Sequence, residues 1–271
     1  VPVSSWKEQI SRLELQMDVL LNVFEENNVK ATFFTLGWVA EHCPNVIHRI
    51  VKQGHELASH GFMHQHITRQ NRKEFSEDIR RAKGILEEVS GVEIVGFRAP
   101  CFSIRHDNDW AHDEIIASGY IYSSSSYPIH HDLYGVPDSY RTAFKLANGL
   151  LEIPVTTCNY IGKTLPAGGG GYFRLLPYPL FKYLFEKGLQ THKVANFYTH
   201  PWEFDPGQPR LPGSLKAKFR HNVNQKHAAN KLSKLCRDFS WNTMRKCYVE
   251  QKESYPTFTR WIEASKAEAL T

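Results

Sequence analysis

The regular alternation of amphipathic helical segments with short apolar segments is the feature that most constrains the fold of this chain. Apolar residues recur every three or four positions from Trp6 to Asn27, which predicts a helix, and the apolar run from Lys30 to Leu36 predicts a buried strand. Further helices are predicted at 39–53, 74–90 and 110–117, and further strands at 55–58, 93–97 and 120–122. Because strands separated by helices of this length pair in parallel, the pattern predicts an α/β fold in the form of a barrel of strand–helix units.

The chain has the right length for one such barrel. α/β barrels occupy about 200–250 residues as a single unit, and this chain has 271 residues, 41% of them hydrophobic. Residues 1–271 are therefore expected to form one domain. From about residue 150 onward, a strand and a glycine-rich loop replace the regular alternation before helices resume near 177–187. This change indicates an elaborated second half, 150–271.

Composition excludes several classes of protein. No segment approaches the roughly 18 consecutive apolar residues that a membrane-spanning helix needs, so no membrane span is expected. The formal net charge is +5, and the basic stretch from Lys216 to Lys234 is interpreted as a solvated helical face, with an anionic partner as the alternative and nucleic acid not indicated. Five cysteines at wide, irregular spacings favour a reducing compartment, the bacterial cytoplasm, while a periplasmic location stays open. The sequence indicates no particular oligomeric state.

Polar side chains suited to chemistry follow three of the predicted strands. His60 and His64 come after the second strand, Arg98 follows the third, and His200 follows a late strand that begins at Val194. Functional side chains of α/β barrels gather at the carboxyl ends of the strands. Histidines four residues apart reach one side of a helix or tight turn, where they suit zinc, cobalt or nickel. Two surface histidines without a ligand are the alternative.

Several longer strings support a resemblance to a known family. They are Ala31-Thr32-Phe33-Phe34, Leu36-Gly37-Trp38-Val39-Ala40-Glu41, Gly54 to His64, Gly96 to Ser103, Gly168 to Arg174 and His200 to Arg210. Together they resemble carbohydrate esterase family 4, the NodB-homology polysaccharide deacetylases, whose fold is a distorted (β/α)7-type barrel. The subgroup associated with exosortase and PEP-CTERM exopolysaccharide clusters is the most similar.

The resemblance implies a metal-dependent hydrolase that removes N-acetyl groups from hexosamine units of an exopolysaccharide or its precursor. It implies that His60 and His64 hold one divalent metal, zinc or else cobalt or nickel, and that His55 is a structural histidine of the same motif. The metal would polarise the acetyl carbonyl and lower the pKa of a bound water that attacks it. By the same resemblance, His200 is the acid that protonates the departing amine, and Arg98 holds the base carboxylate ionised and in place.

A further group of residues is expected to contact the N-acetylated oligo- or polysaccharide. This group is Phe102, Trp110, Tyr172, Arg174 and Trp202. Its aromatic members are suited to stack on sugar faces, although large aromatic side chains more often belong to the core. The glycines at 168–171 lack the ending of a phosphate-binding loop and are expected to form a flexible wall of the sugar groove.

The chain departs from the family pattern at the first motif, an aspartate pair on the first strand that supplies the base and the third metal ligand. The first acidic residues, Glu8, Glu14 and Asp18, fall within the first predicted helix. The run Tyr122-Ser123-Ser124 also stands where a tyrosine-aspartate-serine run is expected. We expect the first strand to be missing from this sequence, which begins at Val1 and not at a methionine. The alternatives are an inactive carbohydrate-binding relative that lacks the aspartate base, and an enzyme that hydrolyses a small amide on the same barrel.

Overall fold

The computed structural model describes residues 6–131, 134–209, 214–251 and 253–258. Its α-helices are α1 (Trp6–Glu26), α2 (Gly37–His42), α3 (Pro44–Lys52), α4 (Arg72–Ser90), α5 (Ala111–Ala117), α6 (Gly170–Leu175), α7 (Tyr178–His192), α8 (Leu215–Asn222) and α9 (Gln225–Asp238). Its strands are β1 (Thr32–Thr35), β2 (Glu56–Ser59), β3 (Gly96–Phe97), β4 (Tyr122–Ser123), β5 (Phe144–Leu146), β6 (Leu151–Glu152), β7 (Thr157–Tyr160), β8 (Lys163–Pro166) and β9 (Thr257–Phe258). Both ends of the predicted domain, residues 1 and 271, lie outside the described residues.

Seven of the strands form one sheet, in the order β1-β2-β3-β4-β6-β5-β9. The neighbours from β1 to β6 in this order are parallel, and helices connect the first four strands. β5 runs antiparallel to β6, β9 pairs in parallel with β5, and β7 and β8 form a separate hairpin. The α/β fold predicted from the alternation is confirmed, with the mostly parallel sheet of a distorted barrel.

The first half of the chain follows the predicted elements closely, except at one place. α4 begins after the capping residue Asn71, whose side chain accepts from the N–H of Glu74, and it ends at Gly91, where φ is 71°. The single helix predicted over 39–53 is wrong. The chain breaks after α2 because Pro44 has no N–H to continue that helix, and it occupies the first position of α3 instead.

The strand predicted to begin at Val194 is not part of the sheet. Along this segment only Tyr198 forms a β-bridge, to Gly169, and its N–H donates to the Gly168 carbonyl at 2.7 Å. The N–H of Asn196 donates to a threonine side chain at 2.7 Å. The prediction of a strand is therefore wrong, because within the described part of the chain no strand lies beside this segment in the position that regular pairing needs.

A gap separates this segment, residues 194–199, from β1 at the edge of the sheet. Among the described strands, β1 pairs with β2 alone. A cavity of about 700 Å³ occupies the gap. Its walls are largely apolar and include Leu20, Phe33 and Leu232, whereas histidines line it at the end where the strands finish. An open sheet edge therefore lies beside an apolar cavity that leads to polar side chains.

One hydrophobic core joins the two halves of the chain. Leu21 of α1, Ile47 of α3, Phe97 of β3, Phe181 of α7 and Leu235 of α9 belong to the same buried cluster. Burying a side chain of this size stabilises the fold by about 1.5–3 kcal/mol. The helices of the second half thus pack on the same core as the first-half barrel. Among the described helices, none combines the length and the apolar character needed to cross a bilayer.

Candidate active site

His60 and His64 lie on a tight turn that follows β2. The N–H of His60 donates to the carbonyl of Thr35 at 2.9 Å, which fixes the start of the turn. Gly61 (φ 76°) and His64 (φ 55°) adopt left-handed conformations, which glycine enters freely and other residues enter rarely. The two imidazole rings are 5.0 Å apart between centroids. A turn, and not a helix, therefore brings together the two histidines predicted as metal ligands.

A hydrogen bond fixes the tautomer of His60. Its Nδ1 lies 2.6 Å from the carbonyl oxygen of Arg98. Because a carbonyl can only accept, Nδ1 carries the proton and Nε2 keeps a free lone pair. Burial, followed by the effect of His64, lowers the pKa of His60 well below its ordinary value. Burial, followed by the effect of His200, lowers the pKa of His64. Both imidazoles are therefore neutral at pH 7, the form that binds metal ions.

The two imidazoles fit a zinc-type ion as donors, but they do not complete its coordination. Zinc sites in proteins use three or four nitrogen, sulfur or carboxylate ligands from side chains. Within the part of the chain that the structure describes, no group of three histidine, cysteine, aspartate or glutamate side chains is placed to hold a metal. Asp18 of α1 is occupied elsewhere, because it pairs with Arg49 of α3. His60 and His64 would thus supply two of the ligands of such a site.

Arg98, which follows β3, is a buried cation. Its guanidinium donates to the carbonyl oxygen and the hydroxyl of Ser124 at 2.9 and 2.7 Å, and it lies 4.2 Å from the centre of the Phe34 ring. It forms no ion pair with a carboxylate of the described residues. Burial lowers the pKa of Arg98 to about 10, so the group is still charged at pH 7. A buried charge with no direct carboxylate partner among the described residues is costly, although the charge of Glu152 acts favourably on it, and the position is suited to pair with a carboxylate in the cavity.

His200 forms a pair with Glu203. The imidazole Nδ1 lies 3.0 Å from Oε1 of Glu203, and the N–H of His200 donates to the same oxygen at 3.0 Å. Because a carboxylate accepts, Nδ1 holds a proton in this pair, and Nε2 is the atom left to exchange a proton with a substrate. The side chain of His200 is 50% exposed, whereas that of Glu203 is 3% exposed. The histidine predicted as the acid is thus accessible and held in one orientation.

Glu203 is a residue of the site that the sequence analysis missed. Burial alone would raise the pKa of Glu203, but hydrogen bonds and positive charge from His200 and Arg174 outweigh burial and lower it. A signal was present in the sequence. Glu203 lies three residues after His200 and closes a capping box at the start of the short 3-10 helix Pro201–Phe204, a spacing that brings the two side chains together.

Arg174 is enclosed within the protein, contrary to the prediction that it binds substrate. Its Nε donates to Glu203 at 2.7 Å, and its side chain is 2% exposed. Its other donors reach the carbonyl oxygens of Arg220, His221 and Val223 at 3.0, 3.1 and 2.9 Å. The prediction is therefore corrected: the guanidinium holds Glu203 and the turn between α8 and α9, and it does not reach a sugar.

Phe102 and Trp202 line the cavity, as residues expected to contact a sugar should. Phe102 is buried, with its ring 5.2 Å from that of Tyr198. Trp202 is only partly buried, and its indole lies nearly parallel to the rings of His200 and His221 at 5.8 and 4.4 Å. The Arg174 guanidinium also lies over this ring, 5.0 Å from its centre, and the contact of Trp202 with a sugar stays a prediction.

The other aromatic residues predicted to contact a sugar, and the predicted structural histidine, do not line the cavity. Trp110 packs 5.8 Å from Phe75 against the main core, so the core alternative describes it better than a sugar contact. Tyr172 is partly exposed on α6, and its contact with a sugar stays a prediction. His55 is buried and accepts from the N–H of Ala31 at 3.1 Å. Burial lowers the pKa of His55 to about 4, as expected for the structural histidine predicted at this position.

Three of the four glycines at 168–171 pack closely, which does not fit the prediction that they form a flexible wall. A Cβ atom on Gly168 would lie 2.5 Å from the carbonyl oxygen of Asn196. A Cβ atom on Gly170 would lie 2.4 Å from the carboxylate oxygens of Glu203, whereas one on Gly171 would meet nothing within 4 Å. The absence of side chains therefore lets the start of α6 lie directly against Glu203.

We expect Gly170→Ala to displace Glu203 and to lower the free energy of unfolding by about 1–3 kcal/mol, the usual cost of overpacking. Chemical denaturation measures this change. Gly171→Ala is the matched control, since it adds the same methyl group to the next position of α6 in open space. Alanine favours helix over glycine by up to about 1 kcal/mol, so the control should be neutral or stabilising. Equal losses in the two variants would contradict the contact with Glu203.

Two family models match this chain. Residues 16–113 match the polysaccharide deacetylase family, and residues 124–249 match DUF3473, a domain of unknown function. The first match contains His60 and His64, and the second contains His200. These matches support the resemblance to carbohydrate esterase family 4. His200, which is predicted to act as the acid, lies within the match to the domain of unknown function.

Two curated relatives resemble about a third of the chain. A peptidoglycan-N-acetylglucosamine deacetylase of Bacillus cereus is 32% identical over 96 residues, which is 35% of this chain and 35% of that protein. A chitooligosaccharide deacetylase of Sinorhizobium fredii is 36% identical over 87 residues, which is 32% of this chain and 36% of that protein. The chain thus spans about a third of the length of these relatives.

Solved structures resemble nearly the whole chain. A Mycobacterium smegmatis protein with a provisional polysaccharide deacetylase assignment has a TM-score of 0.57 at 22% identity, over 90% of this chain and 80% of its own. A peptidoglycan N-acetylglucosamine deacetylase has a TM-score of 0.52 at 16% identity, over 88% of this chain and 84% of its own. At these identities the likeness shows the fold, which is that of the NodB-homology deacetylases.

Proposed function

We propose that this protein is a metal-dependent hydrolase that removes N-acetyl groups from hexosamine units of an exopolysaccharide or its precursor. The observation that carries the proposal is the convergence of His60, His64 and His200 on one cavity. Two of these imidazoles are neutral, and the third is held by a buried carboxylate. The relatives that deacetylate peptidoglycan and chitooligosaccharides support acetylated hexosamine as the substrate class. Membership of the exosortase-associated subgroup is part of the same proposal and rests on the sequence strings.

The residues of the site divide the chemistry among them. His60 and His64 would hold one divalent metal, which supplies polarisation of the acetyl carbonyl and acidification of a bound water. His200 directs its Nδ1 proton to Glu203 and uses Nε2 to protonate the sugar nitrogen as the C–N bond breaks. Glu203 stabilises the charged imidazole that precedes this transfer and keeps the ring oriented.

A carboxylate is still required as the base and the further metal ligand. We propose that it stands on a strand, outside the described residues, that pairs with the open edge of β1 and fills the gap toward residues 194–199. Three observations support this placement: the edge of β1 that faces the gap, the apolar cavity beside it, and the buried charge of Arg98 near its polar end. A carboxylate carried into this position would neutralise Arg98 and lie beside the two histidines.

The test of the proposed function is acetate release from N-acetylglucosamine oligomers by the purified protein, supplied with zinc, cobalt or nickel in separate assays. Release that stops on chelation and returns with added metal would support the proposal. Oligomer binding without acetate release would favour the inactive carbohydrate-binding alternative. Hydrolysis of small acetamides without hydrolysis of oligomers would favour the small-amide enzyme.

Arg98→Met tests the proposed strand. If a carboxylate occupies the gap, the substitution breaks a buried ion pair, so we expect the free energy of unfolding to fall by about 3–5 kcal/mol. Urea denaturation measures the change. Arg49→Met is the control, because the exposed pair of Arg49 with Asp18 should contribute at most about 1 kcal/mol. A stability that is unchanged or higher in Arg98→Met would mean that no carboxylate reaches Arg98, and it would contradict the strand.

A further inference from the structure

α8 is an exposed helix beside the candidate active site. None of its residues is buried, and the hydroxyl of Ser214 caps its first turn by accepting from the N–H of Ala217 at 3.2 Å. Leu215 is 86% exposed and Phe219 is 59% exposed, the former more than any other large apolar side chain of the described residues. The two side chains lie one turn apart on the same helix, so they form one exposed apolar patch.

The apolar residues of α8 face away from the body of the protein. His221 marks the attached side, because its ring lies 4.4 Å from that of Trp202 and nearly parallel to it. At 3.6 residues per turn, Leu215 and Phe219 lie about 120° and 160° around the helix from His221. Lys218 lies to one side of this apolar pair and Lys216 to the other. The outward face thus has Leu215 and Phe219 at its centre, with Asn222 beside Leu215 at the end of the helix and a lysine on either side.

The turn after α8 fixes the helix to the site. The guanidinium of Arg174 donates to the carbonyl oxygens of Arg220, His221 and Val223, while its Nε holds Glu203. The outward face of α8 therefore has a defined position next to the residues that orient His200, and it is not a loose appendage.

The electrostatic character of this region selects the partner. From residue 215 to residue 237, every charged side chain is a lysine or an arginine, in a chain whose formal net charge is +5 overall. Lys231 turns inward and donates to the carbonyl oxygens of Phe173 and Leu176. The exposed basic side chains are Lys216, Lys218, Arg220, Lys226, Lys234 and Arg237. A basic surface of this kind attracts an anionic partner. An acidic glycan or a nucleic acid would bind the basic side chains but would leave Leu215 in water. An anionic lipid bilayer binds both the basic and the apolar side chains, because its headgroups contact the basic ones and its acyl chains contact the apolar ones.

We propose that α8 docks this protein on an anionic membrane surface, with Leu215 and Phe219 inserted at the level of the acyl chains and the flanking lysines among the headgroups. Docking of this type is peripheral and reversible, because two apolar side chains bury little area and the rest of the attraction is screened by salt. It would place the side of the cavity that holds His200 and Trp202 next to the bilayer. The proposal does not depend on the catalytic activity of the site.

Co-sedimentation with lipid vesicles tests the proposal. The full protein is mixed with vesicles of phosphatidylcholine alone or with about a third phosphatidylglycerol, at low and at high salt, and the bound fraction is measured. We expect binding to the anionic vesicles that is at least about tenfold tighter than to neutral ones and that weakens as salt rises. Because Leu215 and Phe219 are both mostly exposed, Leu215→Ser with Phe219→Ser should change thermal unfolding little while weakening anionic-vesicle binding several-fold.

Matched controls separate the outcomes. Ile161→Ser removes an apolar side chain that is 83% exposed at the tip of the β7–β8 hairpin, and it should not change vesicle binding. Lys218→Glu should weaken binding, whereas Lys73→Glu, on the exposed surface of α4, should not. Absence of vesicle binding by the parent protein would overturn the proposal. It would also be overturned if the serine variant bound vesicles as the parent does, or if binding of the parent to heparin or single-stranded DNA exceeded its binding to vesicles.

Discussion

Replacing His64 by alanine is expected to abolish metal binding and acetate release while leaving the fold in place. His64 supplies one of the two neutral imidazoles proposed as metal ligands, and its ring does not belong to the hydrophobic clusters of the described core. Metal polarisation of a carbonyl provides several kcal/mol of transition-state stabilisation, so its loss should slow acetate release by at least about a thousandfold. Isothermal titration with zinc and an acetate assay measure the two effects.

His66→Ala is the matched control for this prediction. His66 lies two residues further along, and it also lines the cavity, but its ring is not among the proposed metal ligands. It should keep zinc affinity within a few-fold of the parent protein. Circular dichroism should show the same helix content in both variants. Zinc binding that survives in His64→Ala and is lost in His66→Ala would contradict the proposed ligand pair.

Arg174→Met is expected to lower the free energy of unfolding by about 3–5 kcal/mol, because it leaves the buried carboxylate of Glu203 without its guanidinium partner. Denaturation in urea measures the loss. The pKa of Glu203 is lowered in the folded protein, so its charged form contributes stability above the ordinary glutamate pKa of 4.5, and that stability is lost as the pH falls through the folded value. The difference in free energy of unfolding between the parent protein and Arg174→Met should therefore become smaller as the pH falls from 4.5 through the folded pKa of Glu203.

Adding Glu203→Leu to Arg174→Met separates stability from catalysis. Replacing both members of a buried ion pair by apolar residues is often neutral or stabilising, so most of the lost unfolding free energy should return. Acetate release should not return, because His200 loses the carboxylate that orients its ring. Positioned acid catalysis contributes about 10²–10⁴-fold, and the double variant should be slower by an amount in that range. A double variant with normal acetate release would contradict the role of Glu203.

The parts of the fold that the sequence predicted well are those with a long, periodic signal. α1 was predicted over 6–27 and observed over Trp6–Glu26, because a stripe of apolar residues this long has one way to be buried. The helix predicted over 39–53 failed at Pro44, where the local lack of an N–H outweighs a continuous apolar pattern. The strand predicted from Val194 failed because extended structure needs a pairing partner, which no local pattern reveals.

The sequence predicted the residues that carry the candidate chemistry, but it did not predict the residues that hold them in place. His60, His64, Arg98 and His200 all follow the predicted or observed ends of extended segments, and the structure brings the three histidines to one cavity. Arg174 was assigned to the substrate because its burial depends on packing against a turn some 50 residues further along the chain. Tertiary contacts of this range leave no trace in local sequence, so the function of a supporting residue becomes visible only in the folded chain.

The most direct test of the central claim is a zinc titration of the metal-free protein, in which bound zinc and acetate release from an N-acetylglucosamine oligomer are measured in the same samples. We expect acetate release to rise in proportion to bound zinc and to reach its maximum at one zinc per chain. Tight binding of the oligomer with no acetate released at full zinc occupancy would contradict a hydrolase and would identify the protein as a carbohydrate-binding relative.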